Sequence, residues 1–424
     1  MTPPLSFDLV VVGGGLAGCA AAISAARRGL SVLLAEREAA LGGAPVGNLV
    51  MPFMPWRTRD PATGGTLDLS QGLFTELCDR LRAMGGMEPD TDCCVPFSEP
   101  FLRVLLDRLC AESGVKVLFH AALADVAKDG DRIAAAMFAC KGERLRAEAP
   151  LFVDATGDAD LVAMADVPFR VGREPDGLCQ PMTLCFRLSG VKEGVDRKAV
   201  NARWKEAQAA GRVTNPRENV LSFRPMEPGT VHFNSTRVVK LSPVDPWARS
   251  RAEAVAREQM LELFDFLRTE FPEHFGASRI SVAAPAAGVR ESRMLEGRHV
   301  LTADDLLACM RFPDAIAAGN YDIDIHSPDG SGTSHHYFDQ GQWYTIPYRS
   351  LLPREGADNL LVAGRCISAT HEAQASIRIM PIVTTLGQAA GTAAALARKA
   401  GVLPPDLDPN ELRAALREDG AFVG

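Results

Sequence analysis

The sequence predicts an α/β fold in which both ends of the chain build one sheet and a mixed α+β domain is inserted between them. Three observations predict this arrangement. A buried strand, a glycine-rich turn and an apolar helix follow one another at residues 7–28. A similar strand precedes a helix of small residues at 359–400. Between residues 169 and 340 the chain carries most of its proline-bounded segments and a long amphipathic helix at 246–271.

The amino-terminal elements form a βαβ pattern. Residues 7–12 are β-branched and apolar, the helix after them ends near Gly29, and residues 30–35 form a second buried strand. Parallel strands need a crossover connection, which is right-handed within one sheet. These residues therefore predict the first unit of a parallel sheet.

The other elements of the flanking parts follow from the same patterns. In chain order we predict a helix at 101–111, strands at 115–120, 122–126, 133–139, 151–154 and 359–362, and a helix at 382–400 with Pro381 in its first turn. One face of the last helix is small enough to approach a sheet or a cofactor closely, and it carries Gly387, Ala390, Gly391 and Ala394. We therefore divide the chain into a first part at 1–170, an inserted domain at 171–340 and a second part at 341–424.

Length and composition limit what the protein can be. The 424 residues exceed what one compact core usually holds, and 47% of them are hydrophobic and 23% charged. A net charge of −8 gives no basic surface for nucleic acid, so we expect a small-molecule substrate. None of the ten cysteines has C-x-x-C spacing, which argues against zinc, iron–sulfur and dithiol sites and for free cytoplasmic thiols. We interpret the adjacent Cys93 and Cys94 as inert thiols.

One apolar stretch, residues 9–26, superficially resembles an export signal with a lipoprotein cleavage box at Cys19. No Lys or Arg precedes it, Asp8 occupies the place of the positive region, and three consecutive glycines interrupt it. We therefore expect a cytoplasmic protein that does not enter a membrane.

A glycine motif at the first turn carries the strongest functional signal. Gly13-x-Gly15-x-x-Gly18 follows a strand and opens a helix, so its glycines can form the tight turn while helix-end amides face a pyrophosphate. Glu36 lies 23 residues after Gly13 and ends the second strand, where it can bind a ribose hydroxyl pair. Together these residues predict a Rossmann-like site for an adenine dinucleotide.

Further glycine turns favour FAD over NAD. Gly42-Gly43 follow Glu36 closely, Gly157-Asp158 end an interior strand and Gly364-Arg365 end a late strand. An extended cofactor needs such scattered contacts, and the amino end of the last long helix can stabilise the charge of a reduced flavin. The sequence has no second G-x-G-x-x-G unit and no cysteine pair near Gly43, which disfavours a built-in NAD(P)H domain and disulfide reduction.

A short aromatic segment holds candidates for the chemistry. The four tyrosines of the chain, at 321, 337, 344 and 348, fall within 28 residues that also hold three of its eight histidines. Aromatic walls with a few polar groups suit a pocket above a flavin, although a structural hairpin rich in Tyr is the competing interpretation. Asp322-x-Asp324-x-His326 has metal-ligand residue types, but such residues also serve as ordinary hydrogen-bonded turns, and we predict no metal.

Arginines form a second group of candidates. Arg290 and Arg293 flank a short polar run, and Arg378 stands near small and apolar residues. An Arg fork is a natural clamp for a substrate carboxylate or for the charge of a reduced flavin. A surface ion pair is an equally good interpretation of each.

Several segments resemble the signatures of bacterial FAD-dependent oxidoreductases, in the broad glutathione-reductase-like group with fumarate-reductase-like and heterodisulfide-reductase-A-like relatives. The resemblance covers about residues 5–400 and includes residues 155–158 (ATGD), 288–293 (GVRESR), 321–326 (YDIDIH) and 363–368 (AGRCIS). It implies that the FAD neighbours include Gly13, Gly15, Gly18, Glu36, Gly42, Gly43, Asp158, Gly364 and Arg378. It implies nothing about the substrate. Arg365 departs from the pattern, because many related flavoproteins place an acid there on the ribitol.

From pattern and resemblance together we predict two sets of site residues. The cofactor-binding set is Gly13, Gly15, Leu16, Ala17, Gly18, Glu36, Arg37, Gly42, Gly43, Ala124, Thr156, Gly157, Asp158, Gly364, Arg365 and Arg378. The catalytic set is His326, Arg290, Tyr344 and Tyr348.

The predicted reaction is hydride transfer between a small organic substrate and flavin N5. His326 or a nearby Tyr serves as acid or base, and Arg290 or Arg378 orients an anionic group. The alternatives are a flavin monooxygenase, which needs an external reductant, and a non-enzymatic electron-transfer flavoprotein. The expected partners are a small-molecule substrate and an unidentified electron donor or acceptor, without nucleic acid or membrane, and a homo-oligomer is left open.

Overall fold

The computed structural model describes residues 4–89, 94–330 and 332–424, so Cys93 and the pair it forms with Cys94 lie partly outside it. In chain order the strands are β1 (Leu5–Ser6), β2 (Leu9–Val12), β3 (Val32–Ala35), β4 (Arg57–Arg59), β5 (Thr66–Asp68), β6 (Lys116–Leu118), β7 (Ala122–Asp129), β8 (Arg132–Cys140), β9 (Glu143–Glu148), β10 (Leu151–Asp154), β11 (Phe169–Val171), β12 (Phe186–Ser189), β13 (Ser222–Phe223), β14 (Thr230–Phe233), β15 (Arg279–Ala283), β16 (Arg293–Leu295), β17 (Ala315–Gly319), β18 (Ile323–His326), β19 (Thr333–His336), β20 (Tyr344–Pro347) and β21 (Leu360–Val362).

The helices alternate with these strands. They are α1 (Leu16–Arg27), α2 (Ala44–Gly47), α3 (Leu73–Ala83), α4 (Glu99–Glu112), α5 (Asp160–Met164), α6 (Arg197–Ala209), α7 (Pro246–Glu270), α8 (Pro272–Phe275), α9 (Ala303–Leu307), α10 (His371–Ile377), α11 (Met380–Ala400) and α12 (Pro409–Glu418), with 3-10 turns at Tyr348–Leu351 and Pro404–Asp406. The sequence predicted α1, α4, α7, α11 and the central strands close to these bounds, but it did not predict α3, α6 or α12.

Five parallel strands form the central sheet, in the order β21-β10-β2-β3-β6. The register pairs Val11 with Leu34 on one side and with Val153 on the other, and Val153 with Leu361. These four strands are buried along their whole length, as expected of a parallel sheet covered on both faces. The predicted α/β fold, with strands from both ends of the chain, is confirmed.

Helices α1 and α11 cross in close contact. A Cβ on Gly387 would lie 2.1 Å from the carbonyl oxygen of Ala17, and one on Gly391 would lie 2.1 Å from that of Ala21. The small face predicted for α11 therefore makes its closest approach to another helix rather than to the sheet. The amino end of α11 instead faces a cavity, described below, whose wall includes Met380 and Val383.

A second core is formed by side chains of the antiparallel sheet β13-β14-β12-β15 and of helices α6 and α7. In it Phe186 stacks on Phe233 at 5.1 Å between ring centroids, and Trp204 meets Phe266 edge-on at 5.0 Å. A buried ion pair between Arg187 and Glu99 connects this sheet to α4 in the main core.

The two cores do not follow the predicted domain bounds closely. The second core takes its residues from 182–287, with Leu49 added, whereas the buried residues from Leu295 to Ile346 join the main core. Strand β17 pairs with β20, which lies beyond residue 340. The division at residues 170 and 340 stays a prediction, because clusters of buried side chains do not by themselves define folding units.

In the described part of the chain no single helix is long and apolar enough to cross a membrane. Helices α10 and α11 meet the condition of length and composition only as a pair, which is bent by 94° at the junction.

Candidate functional site

A continuous cavity of about 1380 Å³ begins at the carboxyl ends of the parallel strands. Its wall includes the loops after β2, β3, β10 and β21 and continues over loops of the second sheet to residues 320–340. Ligand pockets commonly occupy about 300–1,000 Å³. The cavity is therefore large enough for an extended cofactor and a second ligand.

The first glycine turn leaves an open place at the amino end of α1. Gly13 has a φ of +100°, and a Cβ there would lie 2.5 Å from the carbonyl oxygen of Ala155; one on Gly18 would lie 1.8 Å from that of Gly13. Gly15 differs, since it lines the cavity and its Cβ would meet nothing nearer than the Cα of Gly43 at 3.9 Å. Gly13 and Gly18 thus serve the fold, while the room at Gly15 and the helix-end amides suit a pyrophosphate.

Glu36 is held in place for recognition of a ribose. Its Oε2 accepts the backbone N–H of Gly14 at 2.5 Å and its Oε1 that of Glu38 at 2.8 Å. The side chain is buried yet lines the cavity, and each carboxylate oxygen keeps a further lone pair for a hydroxyl. Arg37 beside it lies 3.9 Å from Asp160 and is half exposed. The residues of this region fit the adenosine half of FAD.

An ion pair occupies the place where the sequence departs from related flavoproteins. Arg365 donates to the carboxylate of Asp158, and both line the cavity. Burial alone would raise the pKa of Asp158, but the charge of Arg365 outweighs it and the pKa is lowered. Thr156 is fixed by donating its N–H to Asp154 at 3.0 Å. Asp158 therefore places a carboxylate at this end of the sheet, from the loop after β10 rather than from the loop after β21.

Side chains from 321–326 and 333–340 form the far wall of the cavity. The ring nitrogens of His326 are both engaged: Nδ1 lies 3.1 Å from Nη2 of Arg237, and Nε2 lies 3.2 Å from Oδ2 of Asp324. Since Arg only donates, Nδ1 accepts and the proton sits on Nε2. Burial and the charge of Arg290 lower the pKa of His326 well below its usual value, so the ring is neutral at pH 7.

Asp324 is the ionised centre of this polar group. Burial alone would raise its pKa, but the hydrogen bond from the neutral ring of His326 and the charges of Arg378 and Arg290 outweigh it and lower the pKa. The Tyr321 hydroxyl donates to Oδ2 of Asp324 at 3.4 Å and Arg378 lies 3.5 Å from the same oxygen. Burial, then the Asp324 charge, raises the pKa of Tyr321 well above its usual value, so Tyr321 stays a donor.

The predicted cofactor residues fall mostly on the cavity wall. Those that line it are Gly13, Gly15, Leu16, Ala17, Glu36, Arg37, Gly42, Gly43, Thr156, Gly157, Asp158, Gly364, Arg365 and Arg378. Gly18 and Ala124 are not part of the wall, Gly18 because it packs on Gly13 and Ala124 because only its neighbours at 121–123 reach the cavity.

The predicted catalytic residues separate into two pairs. His326 and Arg290 line the cavity. Tyr344 does not: it is fully buried, and its hydroxyl is hydrogen-bonded to that of Ser376 at 2.6 Å. Tyr348 is also turned away, and its hydroxyl donates to the carbonyl of Pro404 at 2.9 Å. The tyrosines on the wall are Tyr321 and Tyr337.

The sequence patterns did not single out several arginines of the cavity wall, which are Arg57, Arg103, Arg217 and Arg249. Arg217 lines the cavity, although it stands in a loop after α6 that shows no recognisable motif. The sequence also did not predict that His335 lies with the two aspartates. Ligand atoms of Asp322, Asp324 and His335 lie within 4.8 Å of one another, and His326 does not belong to this group. The absence of a metal stays a prediction.

The chain resembles solved structures at low sequence identity. One is a geranylgeranyl bacteriochlorophyll reductase-like protein from Thermoplasma acidophilum, at 12% identity and a TM-score of 0.49 over 98% of this chain and 84% of the other. Another is the flavin-dependent brominase Bmp2, at 13% and 0.47 over 97% and 83%. The anhydrotetracycline hydroxylase OxyS from Streptomyces rimosus matches at 13% and 0.46 over 98% and 66%. Likeness at this level does not indicate a shared reaction.

A family match covers nearly the whole chain. The sequence model of the family described as FAD dependent oxidoreductase matches residues 8–416. This range holds the glycine turn, Glu36 and the late strand with Gly364, whose cavity-lining geometry fits FAD. The protein is thus an FAD-binding enzyme that belongs to the FAD dependent oxidoreductase family.

Proposed function

We propose that the protein transfers a hydride between a small organic substrate and N5 of FAD. The observation that supports this most is the extension of the cavity beyond the nucleotide cradle to the polar group of Tyr321, Asp324, His326 and Arg290. When bound, FAD supplies a two-electron hydride acceptor or donor. The protein supplies the place where a second ligand is bound, oriented and deprotonated.

Oxidation of an alcohol or amine illustrates the balance that the protein must achieve. A C–H bond breaks and its hydride leaves to the flavin, while the proton of the O–H or N–H group moves to a base. His326 is our predicted group for that proton. Because its Nε2 already carries a proton, it can accept another only at Nδ1, after the 3.1 Å contact with Arg237 opens. Tyr321, which stays protonated and lines the cavity, is the second candidate, because its hydroxyl can relay the proton to Asp324.

Several finer expectations belong to the same proposal. We propose kinship with the glutathione-reductase-like flavoproteins, a cytoplasmic location, a small-molecule substrate and an unidentified electron donor or acceptor. Sequence patterns support each of them. The arrangement as a homo-oligomer is left open.

Anaerobic reduction of the flavin tests the reaction. Holoprotein is mixed with a panel of alcohols, amines and acids without oxygen, and bleaching of the flavin absorbance is followed. With a substrate in hand, His326→Gln is expected to reduce about 10²- to 10⁴-fold more slowly with its FAD retained. Bleaching by no organic compound, together with oxygen use that requires an external reductant, would favour the monooxygenase instead.

Matched tyrosine variants sharpen the test. Tyr321→Phe removes a hydroxyl that faces the cavity, whereas Tyr348→Phe removes one bonded to Pro404 away from it. We expect the first to slow flavin reduction and the second to leave it unchanged. A wild-type rate in both His326→Gln and Tyr321→Phe would show that neither group moves the proton.

A further inference from the structure

Four guanidinium groups meet at the substrate end of the cavity. Arg217, Arg290 and Arg378 line it directly, and Arg237 lies behind them against His326. Two of the four are neutralised: Arg237 lies 2.9 Å from Glu218, and Arg378 lies 3.5 Å from Asp324. Among the described residues no carboxylate lies within ion-pair distance of Arg217 or Arg290. Asp322, a further carboxylate of this wall, lies against His335 at 2.5 Å.

Arg217 is both buried and incompletely bonded. Its exposed fraction is 3%, and its Nη1 has no hydrogen-bond partner in the described structure. Its Nε donates to Asn219 at 3.3 Å. Its backbone is firmly held, because the carbonyl accepts from Trp204 at 2.7 Å and from Gln208 at 2.9 Å. A buried charged donor without a partner is costly unless an anion completes it.

Arg290 is similarly placed but is held by neutral groups. Nη1 donates to the carbonyl of Pro181 at 2.8 Å and also to Thr183, and Nη2 donates to Asn234 at 3.1 Å. These acceptors orient the guanidinium without neutralising it. Burial, followed by the charges of Arg378 and Arg217, lowers the pKa of Arg290 to about 9, so it is still charged at pH 7.

We propose that Arg217, together with Arg290, binds the carboxylate of an anionic substrate, so that the substrates of this enzyme are organic acids. This inference rests on the proposed function, because the bound acid is a substrate only if the protein catalyses that reaction. Binding of the acid can be measured without turnover. A carboxylate matches the planar fork of Arg and would satisfy the open Nη1 of Arg217. The wall of the same cavity also includes Leu221, Phe223 and Phe338, which suit the carbon skeleton of an organic acid rather than a bare phosphate.

Binding of simple probes to the oxidised holoprotein tests the inference. Benzoate is titrated while the perturbation of the flavin absorbance is followed, with benzamide as its neutral match and inorganic phosphate as a second anion. We expect benzoate to bind at least tenfold more tightly than either. Equal binding of benzamide would overturn the charge-based inference, and preference for phosphate would overturn the carboxylate assignment.

Variants assign the binding to Arg217. Arg217→Met is expected to weaken benzoate binding about 10- to 100-fold, because a hydrogen-bonded charge contact is lost. Arg217→Lys keeps the charge and should retain part of the affinity, while Arg212→Met, an exposed neighbour paired with Glu270, should match wild type. FAD content and melting temperature are recorded for each variant. Unchanged benzoate binding in Arg217→Met would overturn the proposal. Loss of FAD from both Arg217→Met and Arg217→Lys would also overturn it, because the weaker benzoate binding would then follow from the missing cofactor.

The outcome is separable from that of the proposed function. If benzoate binds through Arg217 but no organic compound ever reduces the flavin, the anion site stands and hydride transfer fails. The midpoint potential of the flavin gives another check. If Arg217 only stabilised the charge of the reduced flavin, Arg217→Met would shift the midpoint potential without changing the affinity for benzoate. That result would overturn the substrate assignment.

Discussion

Replacing Gly15 by alanine separates cofactor binding from folding. The residue has φ −65° and ψ 176°, which alanine adopts readily, and its Cβ would find the nearest protein atom at 3.9 Å. Gly15 lies before the first turn of α1, where alanine in place of glycine costs less than about 1 kcal/mol. The folded apoprotein should therefore tolerate the change.

FAD binding should not tolerate the same change. The new methyl group occupies the space through which a pyrophosphate approaches the helix-end amides. If two charge-assisted hydrogen bonds are lost at about 1.5–3 kcal/mol each, the total is about 3–6 kcal/mol, or roughly 10²- to 10⁴-fold in affinity. Gly15→Val should lose FAD altogether.

The assay compares apoprotein and FAD-loaded protein for Gly15→Ala, Gly15→Val and a control variant. Dissociation constants come from fluorescence of added FAD, and stability from denaturant unfolding of the apoprotein. Gly330→Ala is the matched control, since its Cβ meets nothing within 4 Å and it does not line the cavity. Gly18→Ala should fail to fold, because its Cβ would lie 1.8 Å from the carbonyl oxygen of Gly13. Wild-type FAD affinity in Gly15→Ala would refute the cradle geometry.

Three further outcomes are expected. His232 is buried, and among the described residues neither of its ring nitrogens has a hydrogen-bond partner; burial, then the charge of Arg187, lowers its pKa to about 3. Between pH 3 and pH 6.5 the unfolded chain binds a proton that the folded protein does not, so the free energy of unfolding falls with falling pH, by about 2 kcal/mol at pH 5. Denaturant unfolding curves of His232→Leu should lack this pH dependence. Glu36→Gln should weaken FAD binding without changing which flavin is bound, checked by mass analysis of the released cofactor; FMN in the folded wild type would contradict the assignment. Stopped-flow mixing with NADH or NADPH should show no flavin reduction faster than about 1 per second, a low turnover number, and a faster rate would reveal a nucleotide site that the glycine motifs did not predict.

Local spacing was sufficient to predict the nucleotide cradle. Gly13, Gly18 and Glu36 belong to one unit of two strands, one turn and one helix, so their separations along the chain already fix their separations in space. The parallel sheet was equally readable, because its strands are buried on both faces and therefore appear as continuous apolar runs. Even the late strand could be recognised, although its neighbour β10 lies more than 200 residues earlier in the chain.

The substrate end of the cavity depended on tertiary structure. Four tyrosines within 28 residues predicted an aromatic wall, but the sequence did not show that Tyr344 and Tyr348 turn into the core while Tyr321 faces the cavity. That choice is made by pairing with β17 and by contacts with residues 376 and 404. Such partners are distant in sequence, and clustering along the chain does not specify a side-chain direction.

The sequence by itself thus determined the fold class and the cofactor, and it predicted cradle residues most of which the structure places on the cavity wall, because each rests on short-range patterns. The tertiary structure alone brought Arg217 near Arg290, 73 positions further along the chain, and paired Arg237 with Glu218, whereas no carboxylate of the described residues lies within ion-pair distance of Arg217. It also fixed the tautomer of His326 through Arg237 and Asp324. Charge balance in a buried cavity depends on which groups fold against one another, and no spacing along the chain encodes it.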